Sequence, residues 1–231
     1  MKITVIQHTA VDSPGITSDV LDQNQVETKL IRIDRGDQIP TQVESDVLMT
    51  FGGPVSLHLP NPPPWVEPER ELIRQYAKHG RRVFGICLGS QLIASALGAK
   101  TGPNTDPEFG WHAVDRVNNS GQSKLVSELP SQITALHWHQ NTFELPNEAT
   151  HLYQSDACTN QAFSIDDRII GFQFHPEATA KTIDYYLKFA NPSRILGRYV
   201  QTADQIRQGV TKHLKNQNQM LQRFLESWLK L

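Results

Sequence analysis

Gly85-Ile86-Cys87-Leu88-Gly89-Ser90-Gln91 is the stretch that decides the fold of this chain. The apolar run before it predicts a short buried strand over residues 82–86, and residues 90–97 predict a helix that ends at Gly98. Cys87 therefore stands at a sharp strand-to-helix turn, with a glycine two residues away on each side. This arrangement is the cysteine form of a nucleophile elbow, in which small neighbours let the backbone bend tightly.

The chemistry of Cys87 follows from that position. The N-terminus of the following helix carries a partial positive charge, which favours the reactive thiolate over the thiol. A buried structural cysteine is the ordinary alternative, because free cysteine is among the most buried residue types. The two flanking glycines favour the nucleophile. Cys158 has no such turn around it, and we expect it to be structural.

Composition excludes several classes of function. The 231 residues carry a net charge of −2 with no basic block, which argues against nucleic acid or an anionic membrane as a partner. The first residues are strand-like and show no secretory signal, and no apolar run approaches the length of a membrane span. Two cysteines make a poor disulfide framework, and a reactive thiol needs a reducing compartment. We therefore expect a cytoplasmic protein.

Apolar, β-branched runs alternate with helical patterns, as in a parallel sheet covered on both faces. Strands are predicted at residues 2–6, 30–33, 46–51, 133–138, 151–154, 161–165 and 169–174, and helices at 13–24, 68–78 and from 179 onward. Residues 57–68 are a proline-rich loop, and residues 101–132 are turn-rich apart from a strand-like run at 111–117. The predicted fold is α/β: three αβα layers, a flavodoxin-like and mostly parallel sheet with the cysteine elbow, and C-terminal helices.

The domain organisation follows from the same pattern. Residues 1–190 are predicted to form the α/β domain. Residues 191–231 form a C-terminal helical extension, in which residues 203–230 have the apolar spacing of an amphipathic helix or a helix pair. The extension packs on the same domain or in a dimer seam, and the sequence leaves both open.

Two further turns lie where strands of such a sheet end, which is where open α/β sheets bind ligands. Gly52-Gly53-Pro54 follows one predicted strand, and His175-Pro176-Glu177 follows another. A thiol nucleophile needs a base and a third group that fixes the tautomer of that base. Glu177 can accept a hydrogen bond from one imidazole nitrogen of His175 and leave the other to face the sulfur of Cys87.

These turns together resemble the motifs of the class I glutamine amidotransferases, in the right order along the chain. The resemblance covers about residues 45–178 and is closest to free-standing members that carry no fused synthetase. It rests on Phe51-Gly52-Gly53-Pro54, residues 85–91 and Phe174-His175-Pro176-Glu177. It extends to Glu108-Phe109-Gly110-Trp111, His137-Trp138-His139, Phe143-Glu144-Leu145-Pro146 and Gln161-Ala162-Phe163.

The resemblance implies a role for each of these positions. Cys87, His175 and Glu177 would be the nucleophile, the acid/base and the orienting carboxylate. The backbone N–H groups of Gly53 and Leu88 would form the oxyanion hole, within a loop that includes Gly52. Gln91 would contact the substrate, and backbone around Trp138, Gln140 and Asn141 would hold its amino-acid end.

The implied reaction is hydrolysis of the side-chain amide of glutamine through a Cys thioester, giving glutamate and ammonia. No cofactor is expected, and no metal, because His137 and His139 share one face of a strand but no third ligand has convincing spacing. A γ-glutamyl peptidase acting on a peptide or conjugate is the alternative, and a non-catalytic regulatory subunit is another. The small-molecule substrate is the expected partner, and a separate synthetase subunit or a homo-oligomer is left open.

Overall fold

The computed structural model describes residues 1–117, 125, 129–190, 192 and 195–231. The strands are β1 (Lys2–Gln7), β2 (Glu27–Arg32), β3 (Val47–Thr50), β4 (Arg82–Ile86), β5 (Thr101–Arg116), β6 (Gln132–Phe143), β7 (Thr150–Gln154), β8 (Ala162–Ile165) and β9 (Ile169–Phe172). The helices are α1 (Ile16–Gln23), α2 (Val66–Lys78), α3 (Leu88–Ala96), α4 (Ala180–Phe189) and α5 (Ala203–Trp228). A short 3₁₀ helix covers Ile33–Arg35.

Within these described ranges the strands form one sheet in the order β2-β1-β3-β4-β9-β8-β7-β5-β6. Parallel pairing joins five of the nine strands, from β2 to β9. The remaining strands are antiparallel to their neighbours. Strands β3, β4 and β9 are apolar and almost fully buried, as expected for strands covered on both faces. Their carboxyl ends lie side by side, which places three turns of the chain at one edge.

Helices cover both faces of the sheet. On one face α1 and α5 pack against it, with Val20, Phe224 and Trp228 in the same cluster as Phe84. On the other face α2 and α3 supply residues such as Leu72 and Leu92 to a second cluster. The α/β class with three αβα layers that the sequence predicts is therefore confirmed.

The C-terminal helix α5 is a single helix. It begins with a capping box, in which the Thr202 side chain accepts from the Gln205 N–H and the Gln205 side chain accepts from the Thr202 N–H. Near its end Trp228 is buried, with its ring 5.8 Å from that of Phe84. The helix thus packs on the sheet of its own chain, while a domain boundary at residue 190 stays a prediction.

The largest difference from the sequence prediction is β5. Residues 101–116 form one strand, although the sequence predicts only residues 111–117 to be strand-like and the residues before them, with Gly102, Pro103, Pro107 and Gly110, to be turn-rich. Pairing with β6 overrides that local preference, and the register shifts between Pro103 and Glu108, which accommodates the prolines. The rest of the predicted turn-rich segment falls mostly on residues 118–124 and 126–128, which lie outside the described residues.

Among the described helices, none combines the length and apolar character that crossing a bilayer requires.

Candidate active site

Cys87 lies on the turn between β4 and α3, as the sequence predicts. Its backbone has φ 53° and ψ −110°, a conformation that residues other than glycine seldom adopt. The Cys87 N–H donates to the Phe172 carbonyl at 2.7 Å, so the strained turn is fastened to the adjacent strand β9. The side chain is 7% exposed. The elbow therefore presents a thiol that is almost enclosed yet opens onto a cavity.

The two glycines around Cys87 act differently from the sequence interpretation. The positive φ belongs to Cys87 itself, and neither Gly85 nor Gly89 has one. A Cβ on Gly89 would lie 2.6 Å from the Thr50 carbonyl carbon, and one on Gly85 would lie 2.6 Å from the Gly89 carbonyl carbon. The glycines are thus required because α3 packs closely against β3 and β4, rather than because they bend the turn.

His175 and Glu177 follow β9 and lie next to the thiol. His175 Nδ1 is 2.8 Å from Glu177 Oε1, and both side chains are at most 2% exposed. The other ring nitrogen is left for Cys87, whose side chain lies close enough to this imidazole to raise its pKa. Burial is the largest single influence on the pKa of His175 and lowers it, but Glu177 and Cys87 outweigh it and hold the pKa well above 6.5. The arrangement favours an imidazolium beside the sulfur of Cys87.

Contacts from distant parts of the chain hold the His175-Pro176-Glu177 turn. The Ile16 N–H at the start of α1 donates to the Glu177 carbonyl at 3.0 Å. From α5, Gln217 Nε2 donates to the His175 carbonyl at 3.1 Å, and Asn218 Nδ2 donates to the Pro176 carbonyl at 2.8 Å. Gln217 is fully buried and also accepts from the Leu136 N–H at 2.9 Å. No local sequence pattern marks these supports, because each is set by helix packing.

Gly53 and Leu88 line the same cavity as Cys87. Their backbone N–H groups have no hydrogen-bond partner among the residues that the structure describes. Leu88 opens α3, where the first N–H groups of a helix lack intrahelical acceptors. Two unpaired donors beside a nucleophile can bind an oxyanion. Gly52 does not line the cavity; a Cβ there would be 3.2 Å from His175 Cε1.

The cavity has a volume of about 870 Å³. Of the predicted substrate contacts, Gln91, Trp138, Gln140 and Asn141 all line it. Gln91 Nε2 donates to Gln173 Oε1 at 3.0 Å and reaches the Asn141 carbonyl at 3.3 Å. The Asn141 carbonyl also lies 3.1 Å from His139 Nδ1, so it already has partners.

One wall of the cavity is aromatic: the sequence predicts Trp138 to be part of the site, but not Tyr186. The Trp138 and Tyr186 rings stack at 4.9 Å, and Tyr186 lies edge-on to His175 at 5.7 Å. The Tyr186 hydroxyl donates to Asp12 Oδ1 at 2.7 Å, and burial together with the Asp12 carboxylate raises its pKa well above 10. Tyr186 thus stays protonated. The sequence pattern predicts a helix from residue 179 onward, but it does not show which side of that helix faces the cavity.

A buried polar cluster lies beside the cavity. Pairing of β5 with β6 places Glu108 opposite His139, and one ligand atom from each of Glu108, His137 and His139 lies within 4.8 Å of the others. The sequence spacing offered no third ligand for the two histidines, whereas the structure supplies Glu108. Ser155 Oγ and Gln161 Nε2 donate to Glu108 at 2.8 and 2.6 Å. These hydrogen bonds satisfy the carboxylate, whereas His137 Nε2 and Gln161 Oε1 have no hydrogen-bond partner among the described residues.

Cys158 lies outside the cavity. It is 2% exposed, and its sulfur lies 3.2 Å from Thr142 Oγ1. Burial raises the pKa of its thiol to about 11. Both described cysteines are free, but only Cys87 has the surroundings of a nucleophile.

Comparisons with known proteins agree on one family. The family model for glutamine amidotransferase class-I matches residues 16–191. A glutamine amidotransferase-like protein of Salmonella typhimurium, YfeJ, is 30% identical over 188 residues, covering 80% of this chain and 79% of that protein. The glutamine-hydrolyzing GMP synthase of Vibrio atlanticus is 33% identical over 137 residues, 58% of this chain but 24% of that protein. A glutamine amidotransferase structure from Methylobacillus flagellatus superposes with a TM-score of 0.92 at 27% identity, covering 99% of this chain and 94% of that one.

Proposed function

Because this chain belongs to the class I glutamine amidotransferase family, we propose that it hydrolyses the side-chain amide of glutamine through a thioester on Cys87. The observation that carries the proposal is the alignment of three groups at the cavity. The thiol of Cys87 lies beside the imidazole of His175, whose Nδ1 is 2.8 Å from Glu177 Oε1. This is the order of nucleophile, base and orienting group that covalent acyl transfer requires.

In the proposed first half-reaction the Cys87 thiolate attacks the amide carbonyl carbon of the substrate. The Gly53 and Leu88 N–H groups would stabilise the oxyanion, a contribution of about 10²–10³ in rate for each donor. The His175 imidazolium gives its proton to the leaving nitrogen, and ammonia departs as the thioester forms.

In the second half-reaction a water molecule replaces ammonia. The neutral imidazole of His175 takes a proton from water, and the resulting hydroxide attacks the thioester carbonyl. The sulfur leaves as thiolate, glutamate is released, and the imidazolium beside it is restored. Glu177 holds Nδ1 protonated throughout, which leaves the same face of the ring toward the reacting atoms in both steps.

Ammonia release from glutamine by purified protein tests the proposal. Wild-type chain should release ammonia and glutamate in equal amounts, and Cys87→Ala should release neither. Cys158→Ala is the matched control, since it removes the other free thiol, and it should keep wild-type turnover. Ammonia release that survives Cys87→Ala would show that the proposed nucleophile is wrong.

A γ-glutamyl peptide or conjugate is the second candidate substrate, favoured by the size of the cavity. A volume of about 870 Å³ is near the upper end for sites of drug-sized ligands, whereas free glutamine is small and its leaving group is only ammonia. Tyr185 and Phe189 line the mouth and stack on each other at 5.9 Å, with Lys188 beside them. An apolar or aromatic leaving group would fit against these rings.

Kinetic measurements on two substrates with a variant at the mouth of the cavity separate the two candidates. If the leaving group binds at the mouth, Phe189→Ala should lower kcat/KM for an aromatic γ-glutamyl amide and leave glutamine hydrolysis unchanged. Leu196→Ala is the matched control, because Leu196 is 94% exposed and does not line the cavity. Equal effects of Phe189→Ala on both substrates would show that the mouth does not bind the leaving group, which would favour glutamine as the substrate.

A synthetase on another chain is the proposed consumer of ammonia if glutamine is the substrate. The support is the match to glutamine-hydrolyzing GMP synthases, of which this chain spans about a quarter (24%) of the length. Adding a GMP synthetase domain that lacks its own amidotransferase part tests for such a partner. Stimulated glutamine hydrolysis would support the pairing, and an unchanged rate would argue against that synthetase. The intact set of Cys87, His175 and Glu177 disfavours a regulatory subunit without turnover.

A further inference from the structure

A buried histidine–carboxylate pair lies behind the Gly52-Gly53 turn. His8 directly follows β1, and Glu69 lies in the first turn of α2; their side chains are 1% and 0% exposed. His8 Nε2 is 2.9 Å from Glu69 Oε2, and Thr50 Oγ1 donates to Glu69 Oε1 at 2.6 Å. The Trp65 ring covers the imidazole at 4.6 Å. None of these side chains takes part in the proposed reaction steps.

The other nitrogen of His8 faces the turn itself. His8 Nδ1 is 3.0 Å from the Phe51 carbonyl oxygen and 3.1 Å from the Gly52 carbonyl oxygen. Carbonyl oxygens only accept hydrogen bonds. His8 Nδ1 therefore donates to the turn, while Nε2 is paired with Glu69. Burial lowers the pKa of His8, but Glu69 and the two carbonyls outweigh it and raise the pKa above 6.5.

The hydrogen bond to Gly52 fixes the direction of the next N–H. The Gly52 carbonyl and the Gly53 N–H belong to one planar trans peptide, in which the two groups point in opposite directions. Holding the carbonyl toward His8 therefore turns the Gly53 N–H away from His8. Gly53 itself has little room to move, since a Cβ there would lie 2.8 Å from Leu88 Cδ2 and 3.1 Å from His8 Cβ.

We propose that His8, held by Glu69, is a positioning residue that locks the Gly52–Gly53 peptide with the Gly53 N–H turned toward the oxyanion of the Cys87 acyl-transfer step. This inference rests on the proposed function of that site. A glycine pair would otherwise flip at little cost, because glycine occupies several backbone regions with similar energy. Glu69 and Thr50 make the lock rigid by fixing the ring, so that the donor is in place before substrate binds.

Two substitutions of His8 separate its two hydrogen-bonding sides. In His8→Asn the amide nitrogen is as many bonds from Cα as Nδ1, so the donor toward the Gly52 carbonyl is kept. In His8→Gln the amide nitrogen matches Nε2, so the contact with Glu69 is kept and the one with the turn is lost. A structural role alone gives no reason for His8→Asn to be the better variant.

The readout is the ratio of two rates at Cys87. Acylation by the γ-p-nitrophenyl ester of glutamate, followed as the nitrophenolate burst above the Cys87→Ala background, needs the oxyanion hole. Alkylation by iodoacetamide needs only the thiolate. His8→Gln should lower the ratio about 10²-fold, as for a lost oxyanion donor, while His8→Asn should stay within about tenfold of wild type. Because the ester is activated, the ratio is measurable even if the wild type does not hydrolyse amides, so this test and that of the proposed function can fail separately.

His151→Ala is the matched control. His151 Nε2 likewise lies 2.9 Å from the Tyr153 carbonyl and 2.8 Å from the Thr159 carbonyl, away from the cavity, and its loss should leave the ratio unchanged. If a change at His8 disturbs the buried pair with Glu69 and prevents folding, the same two variants are compared on a Glu69→Gln chain. Equal ratios in His8→Gln and His8→Asn, on either chain, would overturn the proposal.

Discussion

Gly89→Ala is the change that most sharply tests the account of the elbow. The new Cβ would lie 2.6 Å from the Thr50 carbonyl carbon, against ordinary van der Waals contact at 3.4–4 Å. The new Cβ is fixed to the backbone of α3 and the nearest atoms that it meets are backbone atoms of Thr50 in β3, so neither can rotate away. Helix α3 must therefore move away from β3 by roughly 1 Å. Such overpacking typically costs about 1–3 kcal/mol of unfolding free energy. For a chain of this length that is a fall in Tm of about 2–12 °C.

The same displacement carries Cys87 and the Leu88 N–H away from the imidazole. A misplacement of about 1 Å can lower the rate about 10²-fold, so kcat should fall by that order while the chain remains folded at 25 °C. Gly102→Ala is the matched control, because a Cβ at Gly102 meets nothing within 4 Å. Thermal denaturation and ammonia release are measured on both variants. A Gly89→Ala chain with wild-type Tm and wild-type kcat would refute this reasoning.

Three further predictions follow from the described contacts. Gln217→Ala should lower the free energy of unfolding by about 1–3 kcal/mol, because it leaves the buried His175 carbonyl without its donor. The control is Gln219→Ala, at an exposed position of the same helix, which should leave the free energy of unfolding unchanged. Urea titration measures both variants. Burial lowers the pKa of His175, but Glu177 and Cys87 outweigh burial, so the pKa in the folded chain lies above 6.5. Protonation of His175 therefore stabilises the fold fully below pH 6.5, and this stabilisation is lost as the pH rises through the raised pKa. The Tm advantage of wild type over His175→Gln should therefore shrink with rising pH, and a constant difference would contradict it. Iodoacetamide at pH 8 should leave Cys158 unmodified in the folded chain, because burial raises the pKa of its thiol to about 11, and modify it in urea, as peptide mass spectrometry would show.

The local elements around the candidate site could be predicted from the sequence. The elbow at Cys87 and the turn at His175 each join a buried strand to a motif that is contiguous in sequence, so patterning reveals them. The first part of β5, residues 101–110, could not be predicted, because its prolines and glycines are tolerated only through pairing with β6. Local preference and tertiary pairing conflict there, and pairing prevails.

The supports of the site were also invisible in the sequence. His8 and Glu69 are 61 residues apart, and Gln217 reaches the His175 carbonyl across 42 residues. Each looks like an ordinary polar residue in its own segment, and only packing of α2 and α5 on the sheet brings it to its partner. The need for glycine at positions 85 and 89 was likewise invisible in the sequence, because it comes from close contacts with a neighbouring strand or helix.

Trapping of the acyl-enzyme tests the central claim most directly. Protein mixed with glutamine or a γ-glutamyl amide is quenched in acid within the first turnover, and peptides are analysed by mass spectrometry. The account predicts one γ-glutamyl group on the peptide that contains Cys87, formed together with one equivalent of free amine or ammonia, and lost when hydroxylamine is added. Turnover with an unmodified Cys87, or with the γ-glutamyl group on Cys158, would contradict it.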